Sequence, residues 1–249
     1  TALKGRQLAL AGMSLALANF VVVLDITIAN VSVPHIAGSL AVSPTQGTWV
    51  ITSYSVAEAI CVPLSGWLAA RFGAVRVFLT AIIGFALFSL LCGLSRSLEA
   101  LIIFRVFQGL SGGPIMPMSQ TLMLRIFPKE QQGMAMGLWS MTVVVAPILG
   151  PIFGGSISDD WSWHWIFFIN LPVVAFCMVF ALRYLPRFET PTLRRPIDYV
   201  GLALLVVWVG ALQIVLDEGP LRRAMWRYSR NILLLSLAIS AFSAALVYL

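Results

Sequence analysis

Eight apolar runs, each about as long as a bilayer is thick, occupy most of this chain. They cover approximately residues 8–33, 47–69, 75–94, 98–124, 133–157, 164–185, 198–216 and 231–249. A helix needs about 20 mainly apolar residues to cross the hydrocarbon core. Within lipid, a backbone can satisfy its own donors and acceptors only as a helix or a closed barrel. The blocks therefore predict an all-α polytopic membrane protein rather than a large soluble core. Composition agrees: 10% of residues are charged, against about 25% in a soluble domain. Connections are short, so successive spans are expected to be antiparallel neighbours.

The formal net charge of +6 is not a nucleic-acid signal, because the basic residues lie singly or in pairs between apolar blocks. Loop charge sets membrane orientation instead. With the N-terminus inside, Lys4, Arg6, Arg71, Arg76, Arg125, Lys129, Arg183, Arg187, Arg194 and Arg195 are cytoplasmic. The first three outer loops then hold Arg96 as their only Lys or Arg, with Asp159 and Asp160 on the same side. Residues 217–230 dissent, with four arginines placed outside. They read as an interfacial stretch along the headgroups, with a misplaced seventh span as the alternative. Lys4 and Arg6 precede a run too long for a signal peptide, so it is read as the first span. The last residues, Val247 to Leu249, are still apolar, and a longer protein is expected. Cys61, Cys92 and Cys177 all fall inside apolar segments, where free buried thiols are expected. No C-x-x-C and no His/Cys cluster is present, so no metal and no cofactor is expected.

Asp25, Glu58 and Arg105 lie inside spans. A charge at that depth costs at least about 2.5–3.5 kcal/mol on insertion scales and needs a partner or a watery cavity. Asp25 lies roughly 8 Å below the outer end of the first span, and Arg105 roughly 10 Å below the same surface on the fourth. Similar depth predicts an ion pair. Two readings stand: a pair whose breaking allows proton uptake by Asp25, or a static pair that fixes two helices. Glu58, with no basic partner at its depth, is read either as a proton or cation site or as a neutral acid hydrogen-bonded to a neighbouring helix. Thr27, Asn30 and Gln108 are polar residues in the same two spans.

The fifth span carries Gly137, Pro147, Gly150, Pro151, Gly154 and Gly155. Interior proline costs a helix in water about 3 kcal/mol, but such residues are tolerated among packed membrane helices. Ala146, Gly150 and Gly154 are spaced by four and share a nearly bare face where another helix can approach closely.

Several segments together resemble one family. These are Leu24 to Val31 with Pro34, Gly66 to Gly73 in the second-to-third loop, Arg105 to Gly109, the fifth-span glycines and prolines, and Trp163 to Pro172. In this order the chain resembles the major facilitator superfamily, and within it the fourteen-span drug:proton antiporters of the EmrB type. The resemblance implies a six-helix N-terminal bundle over residues 1–185, a cytoplasmic linker over 186–197 and two additional transmembrane helices over 198–249. The family's C-terminal bundle is absent from this sequence. It further implies proton coupling through Asp25 and Arg105, with Thr27, Asn30 and Gln108 assigned to a substrate cavity. Gly66, Arg71 and Gly73 become a cytoplasmic loop gate. Gly137, Ala146, Pro147, Gly150, Pro151, Gly154 and Gly155 become antiporter-motif residues packing on the second bundle. Two departures stand out: Ala70 where the loop motif carries aspartate, and Ala146 where the fifth span carries glycine.

The leading expectation is a proton-coupled exporter of hydrophobic or amphipathic drug-like compounds in a bacterial inner membrane. An exporter of one natural metabolite, such as a siderophore, toxin or aromatic acid, is the alternative, and a non-transporting membrane subunit a weaker one. A polytopic enzyme would need convergent His, Cys, Asp or Glu at one surface, and only Asp159, Asp160 and His164 cluster, beside tryptophans that read as an interface anchor. The expected partners are the bilayer, apolar small molecules and protons. Family analogy adds a periplasmic adaptor and an outer-membrane channel.

Overall fold

A computed structural model describes residues 3–192 and several helical residues between 200 and 208. The chain divides into two compact units, Thr1–Arg195 and Pro196–Leu249. Everything below concerns the first. The expected additional helices and the arginine-rich segment 217–230 lie, apart from those few residues, outside the described part.

The first unit is helical throughout. Its elements are α1 (Arg6–Ser39), the single turn α2 (Pro44–Gly47), α3 (Trp49–Phe72), α4 (Ala74–Gly93), α5 (Leu98–Gly112), α6 (Ile115–Ile126), α7 (Gln132–Asp160), the turn α8 (Trp165–Phe168) and α9 (Asn170–Tyr184). By length and composition, α1, α4, the stretch Lys129–Asp160 containing α7, and the stretch Trp165–Tyr184 containing α8 and α9 are apolar enough to cross a membrane. Each of the first six predicted spans coincides with one of these stretches, with α3, or with the α5–α6 pair.

Two spans differ from expectation in detail. α1 continues through Pro34 to Ser39, about 9 Å beyond the predicted end at 1.5 Å per residue. The fourth span breaks at Gly113 and Pro114 into α5 and α6. Pro114 has no N–H to continue the ladder, and its carbonyl accepts from Met118 as α6 begins.

α1 is the central helix and packs against α7, α9 and α6, while α3 and α4 pack on α5. Buried apolar side chains form two clusters. One joins the N-terminal half of α1 to α4, α6 and α9 through Leu15, Val22, Phe78, Phe85, Leu122 and Cys177. The other surrounds the C-terminal half of α1 with Ile28, Ile36, Val50, Leu101 and Phe167. Polar side chains gather where the two clusters meet.

The joint between α3 and α4 is one residue long. Gly73 turns it at φ +95°, a left-handed value that favours glycine. α4 has no cap of its own there. The segment following α9 supplies one: Ala74 N donates to Thr190 Oγ1 (2.8 Å), Val75 N to Glu189 Oε1 (3.0 Å) and Arg76 N to Glu189 Oε2 (3.1 Å). A carboxylate on exposed helix N–H groups is favoured by hydrogen bonding and by the helix dipole. Arg125 Nη2 donates to the Glu189 carbonyl at 3.3 Å, so α4, α6 and the post-α9 segment are tied at one end.

Candidate functional site

Asp25 and Arg105 form an ion pair, and both side chains are withdrawn from solvent, at 1% and 0% exposure. α1 supplies the carboxylate and α5 the guanidinium, as similar depth predicts. The extra length of α1 does not disturb the match, because the added turns lie beyond the site.

The pair is the centre of a larger network. Asp25 Oδ1 accepts from Asn170 Nδ2 at 2.7 Å and from Gln108 Nε2 at 3.2 Å. Arg105 Nη1 serves both Asp25 Oδ2 and Gln108 Oε1, the latter at 3.0 Å, while its Nε donates to the Val50 carbonyl at 3.1 Å. The guanidinium carbon lies 4.2 Å from the centre of the Tyr54 ring and 5.6 Å from that of Phe167, within cation–π range. Asn170 Nδ2 also reaches Ser89 Oγ at 3.1 Å, and Ser89 donates to the Phe167 carbonyl at 2.8 Å. Four spans thus converge on one carboxylate and its counter-ion. Breaking a buried pair by removing one partner costs about 3–5 kcal/mol, because the other charge is left uncompensated.

Close helix approach makes this geometry possible. Gly109 lies one turn after Arg105, and a Cβ there would overlap the Tyr54 carbonyl oxygen. Gly113, a turn further, meets Cys61 and the Glu58 carbonyl in the same way. Small residues let α5 lie directly on the α3 backbone, within reach of Val50 and Tyr54.

Glu58 is half-buried on α3. Its carboxylate has no hydrogen bond or ion pair among the described residues, and it is electrostatically coupled to both Arg105 and Asp25. Gln108 belongs to the buried network, not to a cavity wall. Thr27 also differs from expectation: its hydroxyl donates to the Leu24 carbonyl at 2.9 Å and its side chain fills the space beside Gly150. Asn30 is exposed.

The face at Ala146, Gly150 and Gly154 requires a correction. It does not await a second bundle; all three residues are buried against α1. Gly150 sits on Thr27, and Gly154 on the backbone of Ile28. Asn19–Thr142 and Ser32–Ser158 hydrogen bonds, both 2.8 Å, extend the same seam. A bare helix face accepts whichever helix is nearest, and α1 is adjacent. Of the other motif residues, Gly137, Pro147 and Pro151 are exposed, alongside Leu138, Val144 and Ile148, and Gly155 is half-buried. The predicted loop is instead the end of α3: Gly66 and Arg71 are exposed on its last turns, with Arg71 6.0 Å from the Trp67 ring centre, and Gly73 alone is the turn residue, beneath Glu189.

Sequence reasoning overlooked Asn170, Ser89 and Glu189. Asn170 was visible inside the Trp163–Pro172 motif, as an amide entering an apolar span. Glu189 carried no local signal.

This arrangement is a transporter-type helical bundle with a charged pair at its core. The chain belongs to the Major Facilitator Superfamily, whose family model matches residues 15–249. It is 51% identical to the multidrug export protein EmrB of Haemophilus influenzae, over 98% of this chain and 48% of that protein. It is 53% identical to EmrB of Escherichia coli K12, over 94% and 45%. The fatty acid resistance protein FarB of Neisseria gonorrhoeae is 52% identical over 87% of this chain and 43% of its own length. The chain spans about half the length of these curated relatives. Among solved structures, the peptide transporter POT in complex with sulfate matches at a TM-score of 0.66 and 16% identity, covering 87% of this chain and 47% of that one. The human organic anion transporter MFSD10 matches at 0.59 and 18%, covering 84% and 55%. At these identities the structural matches establish the fold.

Proposed function

We propose that this chain is part of a proton-coupled exporter of hydrophobic and amphipathic compounds that works by alternating access in a bacterial inner membrane. The observation that carries this reading is the buried Asp25–Arg105 pair shared by α1 and α5. A fully buried carboxylate held by one counter-ion and two amides is a two-state element: ionised and locked, or protonated and released. Protonation removes the charge that Arg105, Gln108 and Asn170 hold, and so loosens two helices, α5 and α9, from α1 together. The names of the EmrB relatives support drug-like cargo. A groove of about 390 Å³ between α1, α6 and α7, lined by Met13, Met123 and Met134, supports it too. Methionine surfaces adapt to varied apolar shapes, and the volume suits a drug-sized molecule.

Orientation belongs to the proposal. Arg76, Arg125 and Glu189 cluster at one end of the unit, and the positive-inside rule makes that end cytoplasmic together with the N-terminus. A periplasmic adaptor and an outer-membrane channel complete the reading, on family analogy alone. The name of FarB, at equal identity, favours a second cargo reading: amphipathic carboxylates of the fatty-acid type.

The test is transport by the intact protein in proteoliposomes under an imposed pH gradient, following a fluorescent lipophilic dye and luminal pH together. Asp25→Asn is expected to lose gradient-driven dye movement and the accompanying proton flux while remaining inserted. Wild-type proton flux in Asp25→Asn would remove Asp25 from the coupling step.

A further inference from the structure

Asn170 opens α9 and is 1% exposed. Its amide is used on one side only. Nδ2 donates to Asp25 Oδ1 and to Ser89 Oγ, whereas Oδ1 is buried with no hydrogen-bond partner among the described residues. A buried acceptor without a partner costs free energy and needs an explanation. The state of Asp25 offers one. An ionised carboxylate is an acceptor only, so the amide must present its N–H groups. A protonated carboxyl carries one O–H and needs an acceptor. Turning the Asn170 amide by half a revolution about its last side-chain bond puts Oδ1 where Nδ2 now lies.

We infer that Asn170 is a positioning residue that reads the protonation state of Asp25 by reversing its side-chain amide, thereby transmitting that state to α9. The inference rests on the reading that Asp25 is the proton-carrying group. Gln108 cannot take this part as readily, because both ends of its amide are engaged: Nε2 with Asp25, and Oε1 with Arg105 and Cys92. The charged and titratable groups facing Asp25 are Arg105 from α5, Tyr54 and Glu58 from α3, and Cys92 from α4. From α9 the facing group is the neutral amide of Asn170. Reversal changes hydrogen bonding only, and the proton stays on Asp25. It releases the bond to Ser89 on α4, so the polar link between α9 and α4 at this site is present in the ionised state and lost in the protonated one.

The experiment uses the intact protein in proteoliposomes, with two readouts. One is the pH at which gradient-driven dye efflux falls to half. The other is the infrared difference spectrum on acidification, with Asp25→Asn as the reference lacking the Asp25 carboxyl. Asn170→Leu keeps the branched shape and heavy-atom count of the side chain and removes the amide. It loses a charge-assisted bond to the ionised form and a neutral bond to the protonated form. Charge-assisted bonds are roughly twice as strong, so the efflux midpoint is expected to rise by about one pH unit. The carboxyl carbonyl band of Asp25 is expected to shift frequency. In the wild-type protein the same spectrum should contain an amide carbonyl band that Asn170→Leu removes, which tests the inference even where that variant transports poorly. An unmoved midpoint and an unmoved carboxyl band, or a wild-type spectrum without that amide band, would overturn the role of Asn170 while leaving Asp25 in place. Absence of any Asp25-dependent carboxyl band would instead overturn the coupling reading, and the role of Asn170 with it.

Discussion

Gly109→Ala probes the contact on which the ion pair depends. In a helix with room to spare, replacing glycine by alanine stabilises by about 1 kcal/mol. Gly109 has no room. A Cβ there would meet the Tyr54 carbonyl oxygen, with the Ala57 Cβ at 3.0 Å and the Glu58 backbone nitrogen at 3.2 Å. Two of these three atoms are backbone, so α5 and α3 must separate. Overpacking of this kind costs about 1–3 kcal/mol, and separation also strains the Arg105–Val50 bond, a charge-assisted contact worth about 1.5–3 kcal/mol. The propensity gain offsets part of this, leaving a net loss of about 1–3 kcal/mol and a melting point lower by roughly 2–10 °C. Gly137→Ala is the control, since a Cβ there meets nothing within 4 Å. The protein carries its own reporter: Cys61, Cys92 and Cys177 are all buried and free. A thiol-reactive fluorophore therefore follows unfolding on heating in detergent. The reasoning fails if Gly109→Ala melts at or above the wild-type temperature, or if Gly137→Ala is equally destabilised.

Arg105→Lys should retain a fraction of proton-driven efflux and Arg105→Ala almost none, because lysine keeps the charge but cannot reach Val50, Gln108 and Asp25 together; equal activity of the two would show that the retained charge contributes nothing, and wild-type activity of Arg105→Lys that the fork geometry is irrelevant. Glu189→Ala removes the cap of α4 and should cost about 1–2 kcal/mol, seen as faster hydrogen exchange at Val75 and Arg76 and unchanged exchange in α7. Gly150→Val should split α1 from α7 at Thr27 and lower the melting point by several degrees, whereas Gly133→Ala at the start of α7 should not. His164, in the loop before α8, should titrate below the ordinary value near 6.5, because burial disfavours its cationic form despite an opposing hydrogen bond from its ring to the Ser95 backbone carbonyl; an NMR titration with a midpoint above 6.5 would contradict this.

The sequence displayed some of this structure and concealed the rest for identifiable reasons. Asp25 and Arg105 were matched by depth alone, because few charges enter the membrane and each must find a partner. Asn170 was harder to see, since a neutral amide at a span end looks like any interfacial residue. The face at Ala146, Gly150 and Gly154 was legible as a contact but not as a contact with α1, because small residues state how near a neighbour comes and not which neighbour it is. Glu189 lies 114 and 113 positions from Val75 and Arg76, whose amides it caps. No local pattern marks a carboxylate whose partner is the bare start of another helix. The break before α6 stood in plain letters at Gly112, Gly113 and Pro114, hidden only by the apolar run around it.

The ion pair has a consequence for membrane voltage. With Asp25 ionised, the core of the unit carries no net charge, since one carboxylate balances one guanidinium. If the carboxylate takes a proton, Arg105 becomes a lone buried cation, and half-buried Glu58 on α3 is an acid that feels its charge. On the proposed coupling through Asp25, proton loading would make the core electropositive, unwelcoming to cationic cargo and hospitable to anionic cargo without contact between proton and cargo. Moving that unbalanced charge through the field costs or yields about 2.3 kcal/mol per 100 mV, so on the proposed reading the protonated conformer is the one whose population a membrane potential would shift.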